Sequence, residues 1–413
     1  MISLEEARHY VLESLDALAP VRMSLADSFG CVCAEDIVAS EPLPGFTNSA
    51  MDGYALRAAD TVGGPVRLRV VDTVLAGGTT DRVLVAGEAV RIMTGAPLPD
   101  GADSVSMIEE VRVDPGEESV LITRTIGVGE FVRHPGEDIA VGQTLIERGS
   151  ALGATQLGVL AGQGLVSLKA HPRPRVGVLS TGNELSGPGG SLGSAKIRDT
   201  NRPMLLALLR QSGFTTIDLG IVSDDALAIK ETLQSAVQEC DAVISTGGVS
   251  MGDVDYVKSV LGEICEGRAR WMQVAIKPGK PFAFGVAGPR NTPLFGLAGN
   301  PVSTRVGFEM LVRPALRRLA GHDQLERTIV NMVLDCALTR ERDGRTHLVH
   351  VVCRFHDDGR LHIESAARQG SHLLNAVAKG NALVMLPDGD GLGAGDVAPA
   401  IILDGPLGAA SGL

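Results

Sequence analysis

The stretch Val243–Leu261 reads VISTGGVSMGDVDYVKSVL. It begins as an apolar strand, breaks at Gly247-Gly248 and resumes as a predicted helix. A glycine-rich connection between a strand and a helix is typical of a loop that binds phosphate. Such a loop does not need acids, yet Asp253 and Asp255 follow these glycines. They indicate either a bound metal ion or charges that favour the dipole of the helix they open.

The flanking sequence alternates between strands and helices. RVGVLST, TTIDLGIV, DAVISTGG and PLFGLAG are predicted strands, and each is followed by a predicted helix or a glycine-rich loop. The segment NPVSTRVGFEMLVRPALRRL is the last helix, and Ser223 is the predicted cap of the helix that follows TTIDLGIV. This alternation predicts a parallel sheet with helices on both faces.

The whole chain has 413 residues, enough for several domains. We predict an α/β multidomain fold with a central parallel-sheet domain at 173–321. Residues 1–40, read as helical, and 143–172 form a linking domain, and 41–142 are an inserted β-rich domain. HPRPR, at 171–175, is a stiff linker. Residues 322–413 form a small β-barrel, with a sandwich as the alternative.

Composition excludes several classes of protein. The net charge of −12 argues against a nucleic-acid binder and a polybasic membrane anchor, and an anionic substrate would need a local basic pocket. The six cysteines form no C-x-x-C pair, which favours reduced thiols in a cytoplasmic protein. The acidic N-terminal segment lacks the features of a signal peptide, and no apolar run is long enough to span a membrane.

Three predicted strand ends carry glycine-rich or polar loops, and the carboxyl ends of parallel strands are where ligands bind. The alternative is that these loops are two tight turns and an ordinary helix cap. In the third loop Asn300 is a predicted cap and Pro301 the first helical residue, which leaves amides for an anion. The candidate binding residues are Ser180, Thr181, Gly182, Ser245, Gly247, Gly248, Asn300 and Pro301.

Charged residues complete the predicted site. Lys277 and Lys280 flank Pro278-Gly279 and form a candidate phosphate clamp, or else a solvated turn. Glu184, Asp224 and Asp255 are expected near the same sheet edge. Mg²⁺ is typically held by one or two carboxylates together with substrate phosphates, so these acids predict a magnesium site.

The β-rich domain has unusual loops of its own. In PGFTNSAMDGYAL, Asp52 lies among small residues, and RIMTGAPLP and RHPGEDIAVG concentrate Gly, Pro, Thr and Asp at strand ends. Such loops are often turns and nothing more. Alternatively, their polar groups line a second face of the same cleft.

Taken together, these motifs resemble the molybdopterin molybdenumtransferase family, called MoeA in bacteria and the E domain of gephyrin in animals. The resemblance runs from the first helix to about Leu403. Nine motifs occur in the family's order: NSAMDGYA, RIMTGAP, GEDI, STGNEL, DTNR, GGVSMGDVDY, IKPGKPFAFG, GNPVS and QGSH. Each alone is weak, but their combination and order are specific.

The resemblance implies an enzyme that inserts molybdenum from molybdate into adenylated molybdopterin, with divalent-metal-dependent release of AMP. It implies an elongated homodimer whose cleft lies between the sheet domain of one subunit and the β-rich domain of the other. Asp52, Thr94 and Asp138 would lie on the partner side of this cleft. Glu184, Asp224 and Asp255 would lie on the sheet side, with Asp224 and Asp255 as metal ligands.

The resemblance also assigns roles to other residues. Lys277 and Lys280 would contact phosphate or molybdate, and Ser371 of QGSH would edge the cleft. Because the chain contains no obvious second catalytic module, a separate protein is expected to adenylate molybdopterin, and molybdoenzymes are expected to receive the cofactor.

Three positions depart from the family's usual pattern. The family usually has Pro at Ala298 and often has Asp at Asn183, so Glu184 would act without an acidic neighbour. Relatives often carry Arg where this chain has His350, so a basic contact there would be weaker or pH-dependent. None of the three is a residue to which we assign chemistry.

Two other functions stay open from the sequence. A nucleotide pyrophosphatase would share a similar sheet domain, but the NSAMDGYA and QGSH regions argue against it. A dimeric scaffold without catalysis is the second alternative. The presence of Asp52, Asp138, Glu184, Asp255, Lys277 and Lys280 argues against a degenerate site.

Overall fold

A computed structural model of the chain describes residues 1–116, 118–189, 192–248, 256–366, 370 and 372–403. Within these ranges, no helix is both long enough and apolar enough to cross a lipid bilayer. Asp253, Asp255 and Ser371 lie outside the described residues, so their assigned roles stay predictions.

The N-terminal part is rich in short strands, with short 3₁₀ helices at Ala58–Thr61 and Ile108–Glu110. Its elements are α1 (Leu4–Glu13), β1 (Val21–Ser24), β2 (Val32–Cys33), β3 (Ile37–Val38), β4 (Asn48–Ser49), β5 (Gly53–Leu56), β6 (Val66–Val74), β7 (Glu88–Ile92), β8 (Ser104–Met107), β9 (Val111–Val113), β10 (Ser119–Ile122), β11 (Val132–Arg133), β12 (Thr144–Ile146), α2 (Ala154–Gly162) and β13 (Ser167–His171).

The expectation that residues 1–40 are helical is wrong beyond the first helix. Ser3 and Glu6 form a capping box at the start of α1, and the chain turns into strands after Pro20. Strands β1 and β2 pair with β13, and β3 pairs with β12, so the two separated segments rejoin through strands. His171 ends β13, which shortens the expected linker to 172–174.

Between these segments, the β-rich part forms a sheet with strand order β8-β5-β7-β6-β10-β9. The short pair β4–β11 and the bridge between Leu43 and Ile139 hold its loops together. Tyr54, Leu56 and Leu68 are completely buried in its core. The alternating runs around 66–74 and 119–122 therefore form the strands that the sequence predicts.

The central part alternates between strands and helices. Its elements are β14 (Arg175–Thr181), β15 (Leu185–Ser186), β16 (Ile197–Arg198), α3 (Asn201–Gln211), β17 (Thr215–Val222), α4 (Ala226–Glu239), β18 (Ala242–Thr246), α5 (Tyr256–Ile264), β19 (Ala269–Gln273), β20 (Ile276–Lys277), β21 (Pro281–Ala287), β22 (Thr292–Leu297), α6 (Pro301–Gly307), a π-helical turn (Phe308–Val312) and α7 (Arg313–Leu319).

The central sheet has the order β17-β14-β18-β22-β21-β19. Its first four strands are parallel, as predicted, but β21 runs in the opposite direction and pairs antiparallel with both β22 and β19, so the sheet is mixed. Separate hydrophobic clusters cover the two faces, one with α3 and the other with α4 and α5. Helix α4 is capped by Asp225, which accepts from the Ala228 amide, and not by Ser223 as predicted.

Helix α1 packs on this central core. Pro314 lacks an amide hydrogen and cannot bond to the carbonyl of Met310, four residues earlier. The helical segment formed by α6 and α7 adopts a π turn at Phe308–Val312, just before this proline. Arg8 of α1 donates from Nε to the Met310 oxygen at 3.2 Å. Leu4, Ala7 and Val11 are buried in the same cluster as the sheet.

The C-terminal strands close into a barrel, which excludes the sandwich alternative. The elements are β23 (Ile329–Leu334), β24 (Leu338–Thr339), β25 (Thr346–Phe355), β26 (Leu361–Ala366), α8 (Leu374–Lys379), β27 (Ala382–Leu386), β28 (Gly391–Leu392) and β29 (Val397–Ile402). The order is β25-β26-β23-β29-β27, and β27 pairs again with β25. Strand β20, which ends at Lys277, pairs with β25 and so attaches the segment around Lys277 and Lys280 to the barrel. The domain limits given above stay predictions.

Candidate active site

The three strand-end loops meet at the carboxyl edge of the central sheet, as predicted. Gly247 and Gly248 have φ values of 90° and 64°, a region that favours glycine. A Cβ on Gly247 would lie 2.5 Å from the Thr181 carbonyl oxygen, and one on Gly299 would lie 3.7 Å from the Gly247 Cα. The first approach requires glycine at 247, and the second is an ordinary van der Waals contact, which shows that the loops lie side by side.

A buried polar network that our residue assignments missed supports these loops. Asn201 donates from Nδ2 to the Thr246 hydroxyl at 2.8 Å and to the Gly299 carbonyl at 2.7 Å. Asp199 accepts from the Ser180 hydroxyl at 3.0 Å and from Arg202 Nε at 2.9 Å. These residues belong to the DTNR motif, which was the available signal.

Several predicted binding residues face inward rather than toward solvent. Ser180 and Ser245 are buried, and the Ser245 hydroxyl bonds to the Phe295 carbonyl at 3.4 Å. Thr181 Oγ1 is buried without a hydrogen-bond partner among the described residues. The side chain of Asn300, which occupies the cap position of α6, makes no capping bond, whereas Pro301 begins that helix as predicted.

Two predicted acids lie at the first of these loops. Asn183 donates its amide to Asp224 Oδ2 at 3.0 Å, and the Asp224 amide donates to Asn183 Oδ1 at 3.2 Å. Glu184 is exposed, and its carboxylate folds back over Gly182, 2.6 Å from where a Cβ would lie. Lys196 donates to the Asn183 carbonyl, so a cation stands beside these acids.

A cavity of about 420 Å³ lies between the central sheet and the C-terminal barrel. Its size is in the range of sites for small molecules. Its polar side includes Lys277, Lys280, Asn300, Ser303 and Arg345, and its apolar side includes Ile276, Leu348, Leu373 and Val377. A local basic pocket on this acidic chain matches the requirement drawn from composition.

Arg345 is a further residue that the sequence analysis missed, because its position depends on how the barrel packs against the central sheet. Arg345 Nη2 lies 2.5 Å from Asp343 Oδ2, and Lys277 Nζ lies 3.6 Å from the same oxygen. Desolvation acts to raise the pKa of Asp343, but hydrogen bonds from Arg345 and His347 outweigh it, so this pKa lies well below its usual range. Asp343 is therefore an anion that fixes the cations around it.

His350 lines the cavity without contributing charge. Burial, assisted by Arg305, lowers its pKa to about 4, although Glu309 acts in the opposite direction. The imidazole is only 4% exposed and is neutral at pH 7. At neutral pH the imidazole therefore carries no positive charge, and His350 does not supply a cationic contact in the described site.

Asp52 and Thr94 form a pair in the β-rich part. Asp52 Oδ1 accepts from both the amide and the hydroxyl of Thr94, each at 2.7 Å. The backbone hydrogen bond and then the side-chain bond lower the pKa of Asp52. Asp138 is exposed, and its amide donates to the Leu43 carbonyl at 3.0 Å. None of these three residues is among those that line the lysine cavity.

Family comparisons agree with this architecture. Residues 2–164 match the MoeA N-terminal region (domain I and II), 177–318 a probable molybdopterin binding domain, and 333–403 the MoeA C-terminal region (domain IV). A molybdopterin molybdenumtransferase of Haemophilus influenzae is 35% identical over 94% of both chains. The chain belongs to the MoeA family.

Further relatives support the same family. The molybdopterin molybdenumtransferase 2 of Mycobacterium tuberculosis is 36% identical over 94% of this chain and 96% of its own length. A crystal structure of the MoeA molybdopterin biosynthesis protein of Pyrococcus horikoshii superimposes with a TM-score of 0.80 at 27% identity. That match covers 97% of this chain and 100% of the other. The multidomain α/β architecture of this MoeA protein is therefore that of its relatives.

Proposed function

We propose that this protein is a molybdopterin molybdenumtransferase that inserts molybdenum from molybdate into adenylated molybdopterin and releases AMP. The supporting observation is the basic cavity, which adjoins Asn300 of the third strand-end loop in a chain of this family. Both substrates are anions, and the net charge of −12 gives the chain an overall field that repels them, so a local group of cations is needed.

The lysine cavity suits the anionic parts of these substrates. We assign Lys277 and Lys280 to phosphate or molybdate oxygens, with Arg345 as a further cation. The strand-end loops at 180–182 and 245–248, together with the start of α6, would hold molybdopterin. Their buried hydroxyls would act by fixing the loop backbone against which the ligand would lie.

The acids at the first loop suit magnesium. Glu184 and Asp224 offer hard oxygen ligands, and Mg²⁺ takes one or two carboxylates with the remainder from water and substrate phosphate. We propose Asp224 and Asp255 as its ligands, with Glu184 beside them. Magnesium would neutralise charge on the phosphates during hydrolysis.

A second copy of the chain would complete the cleft. Asp52, Thr94 and Asp138 do not line the cavity of their own chain, so we infer a homodimer in which they face the other subunit's sheet. Because Thr94 lowers the pKa of Asp52, this carboxylate is a weak base at neutral pH. Its role is to orient water or a cation rather than to accept a proton. Adenylation by a separate protein and delivery to molybdoenzymes complete the proposal.

The test follows AMP release and reconstitution of an apo-molybdoenzyme together, using purified protein, adenylated molybdopterin, molybdate and Mg²⁺. Both signals should rise and both should require molybdate. Lys280→Gln should reduce both by about tenfold or more through weaker substrate binding, whereas Lys169→Gln, far along the chain in β13, should reduce neither.

Other outcomes identify the alternatives. AMP without active cofactor would indicate a pyrophosphatase, and a stable dimer with neither product would indicate a scaffold. Detection of molybdopterin adenylation by this chain alone with ATP would contradict the separate adenylating protein.

A further inference from the structure

A cluster of imidazoles and carboxylates lies on the C-terminal barrel, outside the residues assigned to the active site. It is carried by Asp335, which follows β23, and by the hairpin that joins β25 to β26. In this hairpin Cys353 and Ile363 are completely buried inside the barrel. Since side chains alternate along a strand, His362, which directly precedes Ile363 in β26, points to the outer surface.

Three potential metal ligands converge there. One nitrogen or oxygen from each of Asp335, His356 and His362 lies within 4.8 Å of the other two. His362 Nδ1 is 2.7 Å from Asp335 Oδ1, and His356 Nε2 is 3.7 Å from Asp335 Oδ2. Ligands of a tetrahedral ion with bonds of 2.0–2.1 Å are about 3.3 Å apart, a value between these two distances.

The second nitrogen of His362 is already oriented. Its Nε2 lies 3.1 Å from Asp358 Oδ2, while Asp358 Oδ1 accepts from the Arg360 amide at 2.9 Å. Metal-binding histidines are commonly held by a carboxylate on the ring nitrogen that does not bind the ion. Asp358 supplies this arrangement, since the hairpin fixes the carboxylate and the carboxylate fixes the ring.

A fourth ligand is within reach. Glu364 Oε1 lies 3.7 Å from His356 Nε2, and its other oxygen lies 3.4 Å from Arg354 Nε. The side chain is one-third exposed, so it can turn from the arginine toward an ion. The donor set is then two imidazoles and two carboxylates.

We propose that Asp335, His356 and His362 bind a divalent transition-metal ion such as Zn²⁺, with Glu364 as the fourth ligand. Two imidazole nitrogens favour zinc, cobalt or nickel over magnesium and calcium, which prefer oxygen. The ion would tie the end of β23 to the β25–β26 hairpin.

One rearrangement is required. The rings of His356 and His362 are stacked, with centroids 4.1 Å apart and an interplanar angle of 8°. An ion lies close to the plane of each imidazole that binds it, and two parallel planes cannot share it. His356 is 38% exposed and must turn out of the stack, whereas His362 stays in place.

The test uses untagged, full-length protein stripped of metal with a chelator. Co²⁺ titration should give visible absorption bands of a tetrahedral site with one equivalent, and Zn²⁺ should abolish them. Zn²⁺ should also raise the melting temperature of the protein. His356→Gln and His362→Gln should each remove this equivalent, while His9→Gln, an exposed histidine paired with Glu13, should retain it.

Asp358→Asn tests the contribution of the carboxylate that orients His362, without removing any ligand. It keeps all proposed ligands but removes the charge behind His362, so Zn²⁺ affinity should fall by about 10- to 100-fold. Circular dichroism would verify that each variant is folded. The proposal is wrong if the unaltered protein binds no Co²⁺ or Zn²⁺, or if folded His356 and His362 variants bind it as tightly as His9→Gln.

Discussion

Asn183 and Asp224 hold two loops of the central sheet together by reciprocal hydrogen bonds, each side chain accepting the other residue's backbone amide at 3.0–3.2 Å. An aspartate at 183 would accept the same amide but place a second negative charge beside Asp224. The asparagine therefore preserves the loop contact while lowering the charge of the proposed magnesium site.

We expect Asn183→Asp to reduce the Mg²⁺ concentration needed for half-maximal AMP release by about tenfold, because affinity rises with ligand charge. A magnesium titration of AMP release measures this. Asn183→Ala is the matched control, since it removes the side-chain acceptor of the Asp224 amide but keeps the backbone bond and adds no charge, and it should not increase magnesium affinity. Equal magnesium dependence in Asn183→Asp and the unaltered protein would contradict the assignment of this edge to the metal.

Thr94 controls the ionisation of Asp52. Replacing Thr94 by Val removes the hydroxyl donor but keeps the backbone donor, so the pKa of Asp52 should move upward toward its ordinary value. Thr94→Ser keeps the hydroxyl and should leave this pKa low. NMR titration of the Asp52 carboxyl carbon measures both.

Because the pKa of Asp52 is depressed on folding, its stabilising effect is present above the unfolded pKa and is lost as pH falls through the folded value. Asp52→Asn should lower AMP release by about 10²-fold without changing the dimer, because the water or cation that the carboxylate orients would be misplaced. Unchanged product formation in this variant would remove Asp52 from the proposed site.

Gly247 is required by both its backbone angle and its neighbour. Gly247→Ala should destabilise the fold by more than the roughly 1–3 kcal/mol typical of a strained backbone angle, because its Cβ would also meet the Thr181 carbonyl. Gly213 has a similar φ of 84° with nothing within 4 Å of its Cβ, so Gly213→Ala is the matched control. Urea denaturation should give a clearly larger loss for position 247, and equal losses would contradict the close approach.

His350 makes stability depend on pH in the acidic range. Its pKa of about 4 in the folded protein is below the ordinary value of 6.5, so the unfolded chain binds more protons between these values. The free energy of unfolding should fall as pH drops from about 6.5 to about 4, by up to about 1.4 kcal/mol per pH unit for this group.

Burial also lowers the pKa of His322 to about 4, with Arg317 contributing, so it acts in the same range. The free energy of unfolding, measured by denaturation at several pH values in this range, should depend less steeply on pH in His350→Gln than in the unaltered protein. The double variant with His322→Gln should be shallower still. A slope that does not change in either variant would show that neither imidazole is buried as a neutral group.

The elements that the sequence predicted well are those whose signal is local. Local sterics restrict the backbone in the apolar runs before Ser-Thr-Gly, at the glycines 247 and 248, and at Pro301. The strand ends and loop positions could therefore be predicted from the sequence. Errors occurred where local signals compete: residues 21–38 form short strands stabilised by pairing with 144–171, a contact that has no local signature. Asp225 caps α4, and not Ser223, because the helix begins at Ala226.

By itself, the sequence determined the family, the alternating architecture and the loops that meet at the sheet edge, because periodicity and the order of motifs are properties of the chain alone. Only the tertiary structure decided which charges share a cavity. Lys277 is drawn onto the barrel by β20, where it meets Arg345 and Asp343, while His350 is buried and neutral. Burial and the distances between charges set ionisation and binding, and both arise only when separate segments pack together.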